Sequence, residues 1–196
     1  MVISVINKKG GVGKTPFAFS IAKDLDMFLQ SNDNSIIESI YPNKAKISKE
    51  PSLLENCVYD FGGFVDKGIL DIVRQSDMLI IPCNELYNSI LRTIETINEI
   101  QTLNKNIIVL VSDYKDEKDK NIIEEMLKSN LSDLEFFFFK HSKIIDNAMI
   151  AGLSFTELYN ENVLSKLNYK NFFEEYNKLL HTLTKTKENK NVKKWA

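Results

Sequence analysis

Short apolar runs alternate along the chain with segments in which apolar residues recur every three or four positions. Five of the runs have the apolar, β-branched character of buried strands, namely Val2–Ile6, Cys57–Tyr59, Met78–Pro82, Asn106–Val111 and Leu134–Phe139. Ser35–Ile40 is a weaker strand candidate. The segments with helical spacing are Phe17–Leu29, Asp66–Gln75, Leu86–Leu103, Lys118–Lys128, Ser142–Ala151 and Tyr169–Leu183.

This alternation of strands and helices predicts the fold class. Strands that alternate with helices form βαβ units, whose parallel sheet is covered by helices on both faces. We therefore expect a three-layer α/β fold with a mostly parallel, twisted sheet. No linker divides the chain, so residues 1–184 form one expected domain. The tail 185–196 carries five lysines and one glutamate without periodicity, and we expect it to fray.

Composition excludes several classes of site. The chain has 196 residues, a net charge of −2, two cysteines and two histidines. So few cysteines and histidines argue against a zinc site, an iron–sulfur cluster or a disulfide framework. The N-terminus lacks the basic and cleavable regions of a signal peptide, and no apolar run is long enough to cross a bilayer. We expect a soluble, cytoplasmic protein.

A glycine-rich stretch between the first strand and the first helix has the pattern of a phosphate-binding loop. Its sequence is Lys8-Lys9-Gly10-Gly11-Val12-Gly13-Lys14-Thr15. Glycines allow tight turns in which successive N–H groups point at phosphate oxygens. Lys14 is then expected to contact the β and γ phosphates, and Thr15 to give its hydroxyl to Mg²⁺.

The lysine before the paired glycines changes the motif. In the pattern G-x-x-x-x-G-K-[ST] the first glycine falls at position 8, which is Lys8, whereas here Lys9 precedes Gly10-Gly11. The loop resembles the deviant Walker A motif of the ParA/MinD ATPases. This resemblance implies ATP and Mg²⁺ as cofactors, nucleotide binding by residues 9–15, and an ATP-dependent homodimer. In such a dimer, Lys9 reaches the partner's nucleotide and stabilises phosphoryl transfer in trans.

The resemblance extends in order to about residue 160. Val58-Tyr59-Asp60-Phe61-Gly62-Gly63 is similar to the second acidic motif of the family, which makes Asp60 a catalytic residue and a water-mediated Mg²⁺ ligand. The segments Ser76–Cys83 and Gly152–Phe155 are similar to later family segments. Because the chain is short, it looks most like the small, ParF-like plasmid-partition proteins of this deviant Walker A class.

Two departures from the family pattern bear on hydrolysis. Pro16 stands where the family has a Thr or Ser that touches the α phosphate, and proline offers neither hydroxyl nor N–H. The family also has a strand that ends Asp-x-Asp-Pro-Gln, for which Ile36–Asn43 is the corresponding stretch here. Tyr41 then replaces the water-orienting Asp, and Glu38 is the one carboxylate nearby. We therefore expect a weak ATPase with slow or impaired turnover.

The leading functional hypothesis is partition of a plasmid or another cargo. The resemblance implies ATP-bound dimers that bind DNA without sequence preference and are released by a cargo-bound partner protein. The lysine-rich tail with Trp195 could supply part of a basic surface, and Asp113, at a strand end, is a candidate contact for the base.

Three alternatives stay open. One is a nucleotide-gated binding module without turnover, such as a conjugation accessory factor. Another is membrane positioning as in MinD, which ranks lower because the tail offers only Val192, Trp195 and Ala196 as apolar residues. The last is a metabolic ligase of the dethiobiotin synthetase type, for which the sequence shows no acidic substrate pocket.

Overall fold

The computed structural model describes residues 1–62 and 67–194. Within these residues the strands are β1 Val2–Ile6, β2 Phe28–Ser31, β3 Ala45–Ile47, β4 Cys57–Phe61, β5 Met78–Asn84, β6 Ile107–Tyr114 and β7 Glu135–Lys140. The helices are α1 Lys14–Asp24, α2 Ile37–Ile40, α3 Lys67–Gln75, α4 Tyr87–Ile100, α5 Glu117–Lys128, α6 Ile144–Ala151, α7 Phe155–Asn160 and α8 Val163–Lys194.

The strands form one parallel sheet in the order β3-β2-β4-β1-β5-β6-β7. Strand β1 contributes apolar side chains to the cores on both faces of the sheet. Ile3 and Val5 pack in the core under α1, α6, α7 and α8. Val2 and Ile6 pack in the core under α3, α4 and α5. A strand that is buried on both faces reads as a continuous apolar run. The predicted three-layer α/β fold with a parallel sheet is therefore confirmed.

The strand after the first helix lies earlier in the sequence than predicted. Helix α1 ends at Asp24, the chain turns through Asp26 with φ 52°, and β2 pairs with β4 from Phe28 to Ser31. The prediction of a strand at Ser35–Ile40 is wrong, because Ile37–Ile40 is the short helix α2. Phe28 and Leu29 satisfy the apolar spacing of a helix and of a strand alike, so pairing with β4 decided between them.

Other predicted boundaries also move. The edge strand β3 and the helix α7 were not predicted. Strand β5 continues past Pro82 to Asn84. The pairing of β5 with β1 ends at Ile80. Proline has no N–H to donate, but at position 82 the pairing with β1 does not require one.

Helix α8 includes residues 185–194, where the sequence led us to expect a frayed tail. No Gly or Pro interrupts the chain between Val163 and Lys194. The backbone hydrogen bonds of the helix can therefore continue through residues 185–194, although the sequence of this part has no apolar periodicity. Trp195 lies outside the described residues. No helix in the described parts of the chain combines the length and apolar character needed to span a bilayer.

Candidate functional site

The glycine-rich loop joins the carboxyl end of β1 to the amino end of α1. Gly11 has φ 73° and Gly13 has φ 84°, a left-handed backbone that side chains with a Cβ adopt rarely. Gly13 is the N-cap of α1, and its carbonyl accepts the first helical hydrogen bond from the Phe17 N–H at 3.2 Å. The loop thus places its N–H groups at the positive end of a helix dipole, which favours an anion.

Asn7 anchors this loop and was not predicted. Its side chain is fully buried, and its Nδ2 donates to the Thr93 hydroxyl and the Pro82 carbonyl, each at 2.8 Å. Its Oδ1 accepts from the Lys9 N–H at 2.9 Å. Asn7 therefore ties the start of the loop to α4 and β5. Pro82 and Thr93 lie 75 and 86 residues away from Asn7 in the sequence, so no local signal could identify this role.

The two predicted lysines occupy different positions. The Lys14 ammonium donates to the Lys9 carbonyl at 3.1 Å, so it folds back over the loop. Burial lowers the pKa of Lys14, while Asp60 and Asp33 act to raise it. The Lys9 ammonium donates to the Gly10 carbonyl at 3.1 Å, at the exposed edge of the loop.

Thr15 and Asp60 meet across the sheet edge. The Thr15 hydroxyl donates to Asp60 Oδ2 at 2.7 Å, and the Ser31 hydroxyl at the end of β2 donates to the same oxygen at 3.1 Å. Asp60 is 1% exposed, and burial raises the pKa of its carboxyl group, whereas the Thr15 and Ser31 hydrogen bonds and Lys14 lower it. A buried carboxylate with too little compensating charge is a good ligand for a cation.

Asp33 brings a second carboxylate to the same place, which corrects the sequence prediction. It lies just beyond β2, after Asn32, its N–H donates to the Ser31 hydroxyl at 3.2 Å, and it lines the cavity beside the loop. It also lies against Gly62, where an added Cβ would be 3.0 Å from Asp33 Oδ2. The family strand was thus matched to the wrong segment, because the strand after α1 is β2, which ends at Ser31 and is followed by Asn32-Asp33.

Tyr41 and Glu38, which the sequence analysis matched to the family strand, have structural roles. The Tyr41 hydroxyl donates to the Met27 carbonyl at 3.0 Å within the core, and burial raises the pKa of Tyr41 to about 12. The Glu38 carboxylate accepts from the Ile47 N–H at 2.9 Å on the outer edge of β3. Glu38 thus satisfies a backbone donor of an edge strand, which otherwise invites pairing with another chain.

The glycine-rich loop, Asp33 and Asp60 surround a cavity of about 390 Å³ at the carboxyl edge of the sheet. The cavity is lined by the loop and the start of α1, the two aspartates, Gly62, and residues from β6 and α6, namely Gly10, Gly11, Val12, Gly13, Lys14, Thr15, Pro16, Asp33, Asp60, Gly62, Ser112, Asp113, Ile145 and Asp146. The structure therefore brings together the predicted residues 10–15 and Asp60, with Lys9 at the edge. Gly63, the last residue of the predicted acidic motif, lies outside the described residues.

Comparison with solved structures identifies this arrangement of strands and helices. An ATP complex of McdA from Cyanothece is 15% identical, with TM-score 0.66, over 94% of this chain and 96% of that chain. MinD from Aquifex aeolicus is 17% identical, with TM-score 0.64, over 92% and 96%. The chain has the fold of the MinD and ParA ATPases. Its sequence matches no family model and no curated protein.

A third neighbour with this fold is a putative plasmid partition protein from Borrelia burgdorferi bound to AMPPNP. It is 12% identical, with TM-score 0.58, and the alignment covers 90% of this chain and 98% of that chain. Since nearly the whole of each neighbour is covered, the present chain contains all the layers of the fold. In a parallel α/β sheet, ligands bind at the carboxyl ends of the strands, which is where the cavity lies.

Proposed function

We propose that this protein is an ATP-dependent, dimerising ATPase of the ParA/MinD family that positions a plasmid or another cargo. The observation that carries the proposal is the contact between the Thr15 hydroxyl and the buried Asp60 carboxylate, 2.7 Å apart, beside a phosphate loop. The loop offers N–H groups and Lys14 to phosphates, and the pair offers oxygens to a metal. Two neighbours with the same fold are complexes with ATP and AMPPNP, which supports the choice of nucleotide.

The oxygen ligands fit Mg²⁺. The Thr15 hydroxyl and Asp60 carboxylate are hard oxygen donors, and Mg²⁺ in nucleotide sites is held by one or two such groups together with phosphates and water. A bound cation would compensate the buried charge of Asp60, whose pKa is raised by that burial. Mg²⁺ supplies neutralisation of negative charge on the phosphates. Thr15 and Asp60 orient the cation.

The lysines would divide the remaining charge. Lys14 lies over the loop, where its ammonium can exchange the Lys9 carbonyl for phosphate oxygens. Within residues 1–62 and 67–194, the one hydrogen bond of the Lys9 ammonium is to the carbonyl of the adjacent Gly10, so its long side chain can leave the loop at little cost. We assign Lys9 to the nucleotide of a second protomer. ATP then holds two copies of the chain together.

Asp33 changes our expectation about hydrolysis. The prediction of impaired turnover depended on the absence of a carboxylate near the phosphates, and Asp33 lines the cavity with Lys14 and Asp60. A carboxylate in this position can accept a hydrogen bond from the attacking water. We therefore assign Asp33 to orienting that water and propose that the protein hydrolyses ATP.

Non-specific DNA and a cargo-bound partner protein remain the proposed partners. DNA binding requires lysines or arginines that neutralise phosphates, and the last ten residues of α8 contain five lysines. Since the chain as a whole has a net charge of −2, a basic surface has to be concentrated in a part of the molecule. Dimerisation would double the number of such tails on one particle.

The test is double-stranded DNA binding at low salt with ATP·Mg²⁺, with ADP·Mg²⁺ and without nucleotide. Light scattering of the same samples gives the oligomeric state. We expect a dimer and DNA binding with ATP alone, and binding that weakens steeply as salt rises. Lys14→Ala is the matched control, which we expect to remain a monomer under all three conditions. A wild-type protein that stays monomeric and binds no DNA with ATP would contradict the proposal.

A nucleotide-gated binding module without turnover is the second candidate. Pro16 favours it, because this residue lines the cavity without an N–H or a hydroxyl for the α phosphate. Phosphate release by the purified protein separates the two candidates. An ATP-dependent dimer that releases no phosphate, even with DNA present, would favour the module.

A further inference from the structure

The face of the sheet that carries α3, α4 and α5 is not covered evenly. Side chains alternate along a strand, so Leu29 and Ser31 leave β2 on one face, and Phe28 and Gln30 leave it on the other. Leu29 packs in the core under α1, α6, α7 and α8. Among the residues that the structure describes, none of β2 or β3 belongs to the core under α3, α4 and α5. Phe28 and Gln30 therefore lie outside both cores.

A cavity of about 310 Å³ lies on this part of the sheet. Phe28 and Gln30 of β2, Lys44 and Lys46 around β3, and Leu54 of the following loop contribute to its lining. Within the described chain, it shares no lining residue with the nucleotide cavity. The cavity is therefore a second candidate site, separate from the glycine-rich loop.

Hydrogen bonds and an ion pair fix the lining of this cavity. Tyr59 of β4 is fully buried, and its hydroxyl accepts from the Leu54 N–H at 2.6 Å and donates to the Ser52 carbonyl at 2.8 Å. Lys44 forms an ion pair with Asp26. Because the lining is held by the folded chain itself, an occupant has little of it to order, which reduces the entropic cost of binding.

Gln30 places an unpaired acceptor beside the cavity. The residue is 4% exposed, and its Oε1 is buried without a hydrogen-bond partner among the described residues. A buried acceptor without a donor costs stability, and most such groups in folded proteins are paired. The terminal torsion of a glutamine side chain is broad, so the amide can turn Oε1 towards the cavity. Gln30 therefore favours an occupant with an N–H or O–H donor.

The surroundings of the cavity are apolar and basic. Phe28 is 47% exposed, Leu54 is 39% exposed, and Leu53 beside it is 44% exposed. Residues 43–49 contain three lysines and no acidic residue. The volume is at the lower end of the range for ligand pockets, which suits one large side chain. Tryptophan combines a large apolar ring with a group that can only donate.

We propose that this cavity docks a partner protein through a tryptophan side chain flanked by acidic residues. The indole ring packs against Phe28 and Leu54, and its N–H donates to Gln30 Oε1. The flanking carboxylates pair with Lys46 and the neighbouring lysines. The exposed apolar surface continues past the cavity to Leu53, so a peptide covers it better than a small molecule of the same volume. Docking here leaves the nucleotide cavity open and does not require nucleotide.

Short peptides test the cavity. The probe is acetylated and amidated Asp-Asp-Trp-Glu-Asp, titrated into the full, isotope-labelled chain without nucleotide and followed by NMR. We expect the amide signals of residues 28–30, 44–46 and 54 to shift, with a dissociation constant of roughly millimolar or below. One matched peptide carries benzothienylalanine, which keeps the ring shape of tryptophan and lacks the N–H. Another carries lysines in place of the acidic residues. Each should bind at least about 10-fold more weakly.

Gln30→Leu removes the acceptor and keeps a side chain of similar size. The tryptophan peptide should then bind about 10-fold more weakly, and no better than the benzothienylalanine peptide. Stability in urea should equal or exceed that of the wild type, because an unpaired buried acceptor has been removed. A merely structural role of Gln30 predicts the reverse, which is a loss of stability with the difference between the two peptides retained.

Lys46→Glu tests the assigned charge complementarity. The acidic peptide should bind about 10-fold more weakly to this variant, and the lysine peptide should bind more tightly than to the wild type. Lys105→Glu is the matched control, because it makes the same change of charge beside a different cavity. It should bind both peptides like the wild type.

The outcomes that would overturn the proposal are distinct. Equal affinity of the wild type for the tryptophan and benzothienylalanine peptides would exclude the contact with Gln30, and unshifted signals at millimolar probe would exclude the docking site. Indole-3-acetate that binds as tightly as the peptide would identify a small-molecule site instead. The same shifts on raising the protein concentration without peptide would identify a second copy of the chain as the occupant. Lys14→Ala should bind the peptide normally, so failure of the proposed function leaves this test intact.

Discussion

Asp24 joins three helices, and replacing it is expected to destabilise the protein without touching the cavity. It is the last residue of α1 and accepts hydrogen bonds from the hydroxyls of Ser154 at 2.5 Å, Thr156 at 2.8 Å and Tyr176 at 2.9 Å. Ser154 and Thr156 lie at the start of α7, and Tyr176 is a fully buried residue of α8. Asp24 therefore connects the helix that begins at the phosphate loop to the outer helices of the same face.

The magnitude follows from the groups that Asp24→Ala would leave behind. The Ser154 and Tyr176 hydroxyls are buried and would lose their acceptor, at roughly 1–3 kcal/mol each, whereas Thr156 can turn to water. Burial of the carboxylate already costs stability, and removing it returns part of that cost. We expect a net loss of about 3 kcal/mol, which lowers the melting temperature by roughly 6–12 °C in a chain of this size.

The pH dependence has a definite sign. Burial raises the pKa of Asp24, against the opposing effect of its three hydroxyl donors, so the folded chain holds the proton more tightly than the unfolded chain. The stability from this proton is present below the ordinary pKa of a carboxyl group and is lost as pH rises through the raised pKa. Asp24→Asn cannot ionise. Its stability relative to the wild type should therefore improve as pH rises above 3.8, the ordinary pKa of this carboxyl group.

Urea unfolding followed by circular dichroism measures both effects. The matched control is Asp71→Ala, which removes an exposed carboxylate of α3 that pairs with Arg74, and we expect a change within about 0.5 kcal/mol. An Asp24→Ala variant as stable as this control would refute the reasoning about the buried hydroxyls. An Asp24→Asn variant that loses stability relative to the wild type as pH rises would refute the assigned direction of the pKa shift.

Three further predictions concern the nucleotide site. Asp33→Asn should lower the rate of phosphate release by ~10²–10⁴-fold with little change in nucleotide affinity. Its control, Glu38→Gln at the edge of β3, should hydrolyse ATP at the normal rate. Equal rates for the two variants would contradict the role of Asp33. Pro16→Ser restores an N–H and a hydroxyl beside the α phosphate and should tighten ADP binding by about 10-fold in calorimetry, so unchanged or weaker binding would argue against that contact. Lys9→Ala should bind ADP like the wild type but stay monomeric with ATP in light scattering, and a normal ATP-dependent dimer would exclude a role in trans.

Features encoded by adjacent residues could be predicted from the sequence. The phosphate loop is one, because its glycines, Lys14 and Thr15 are contiguous and lie between an apolar strand and a helix. Asp60 is another, since it directly follows an apolar run. The strand β2 could not be predicted in the same way, because it has four residues and its apolar pattern also fits the end of a helix. Because of that error, the position expected to carry an acidic residue was placed at Tyr41, whereas the structure has Asp33 there.

The sequence by itself determined the layered α/β class, the phosphate loop and the carboxylate at the end of β4, because periodicity and contiguous motifs are local properties of a chain. Only the tertiary structure decided which residues meet at the site. Pairing of β2 with β4 placed Ser31 and Asp33 beside Asp60, and a bulge between β6 and β7 brought Asp113 to His141. Such contacts depend on strand order and register, which are set by burial of the whole sheet.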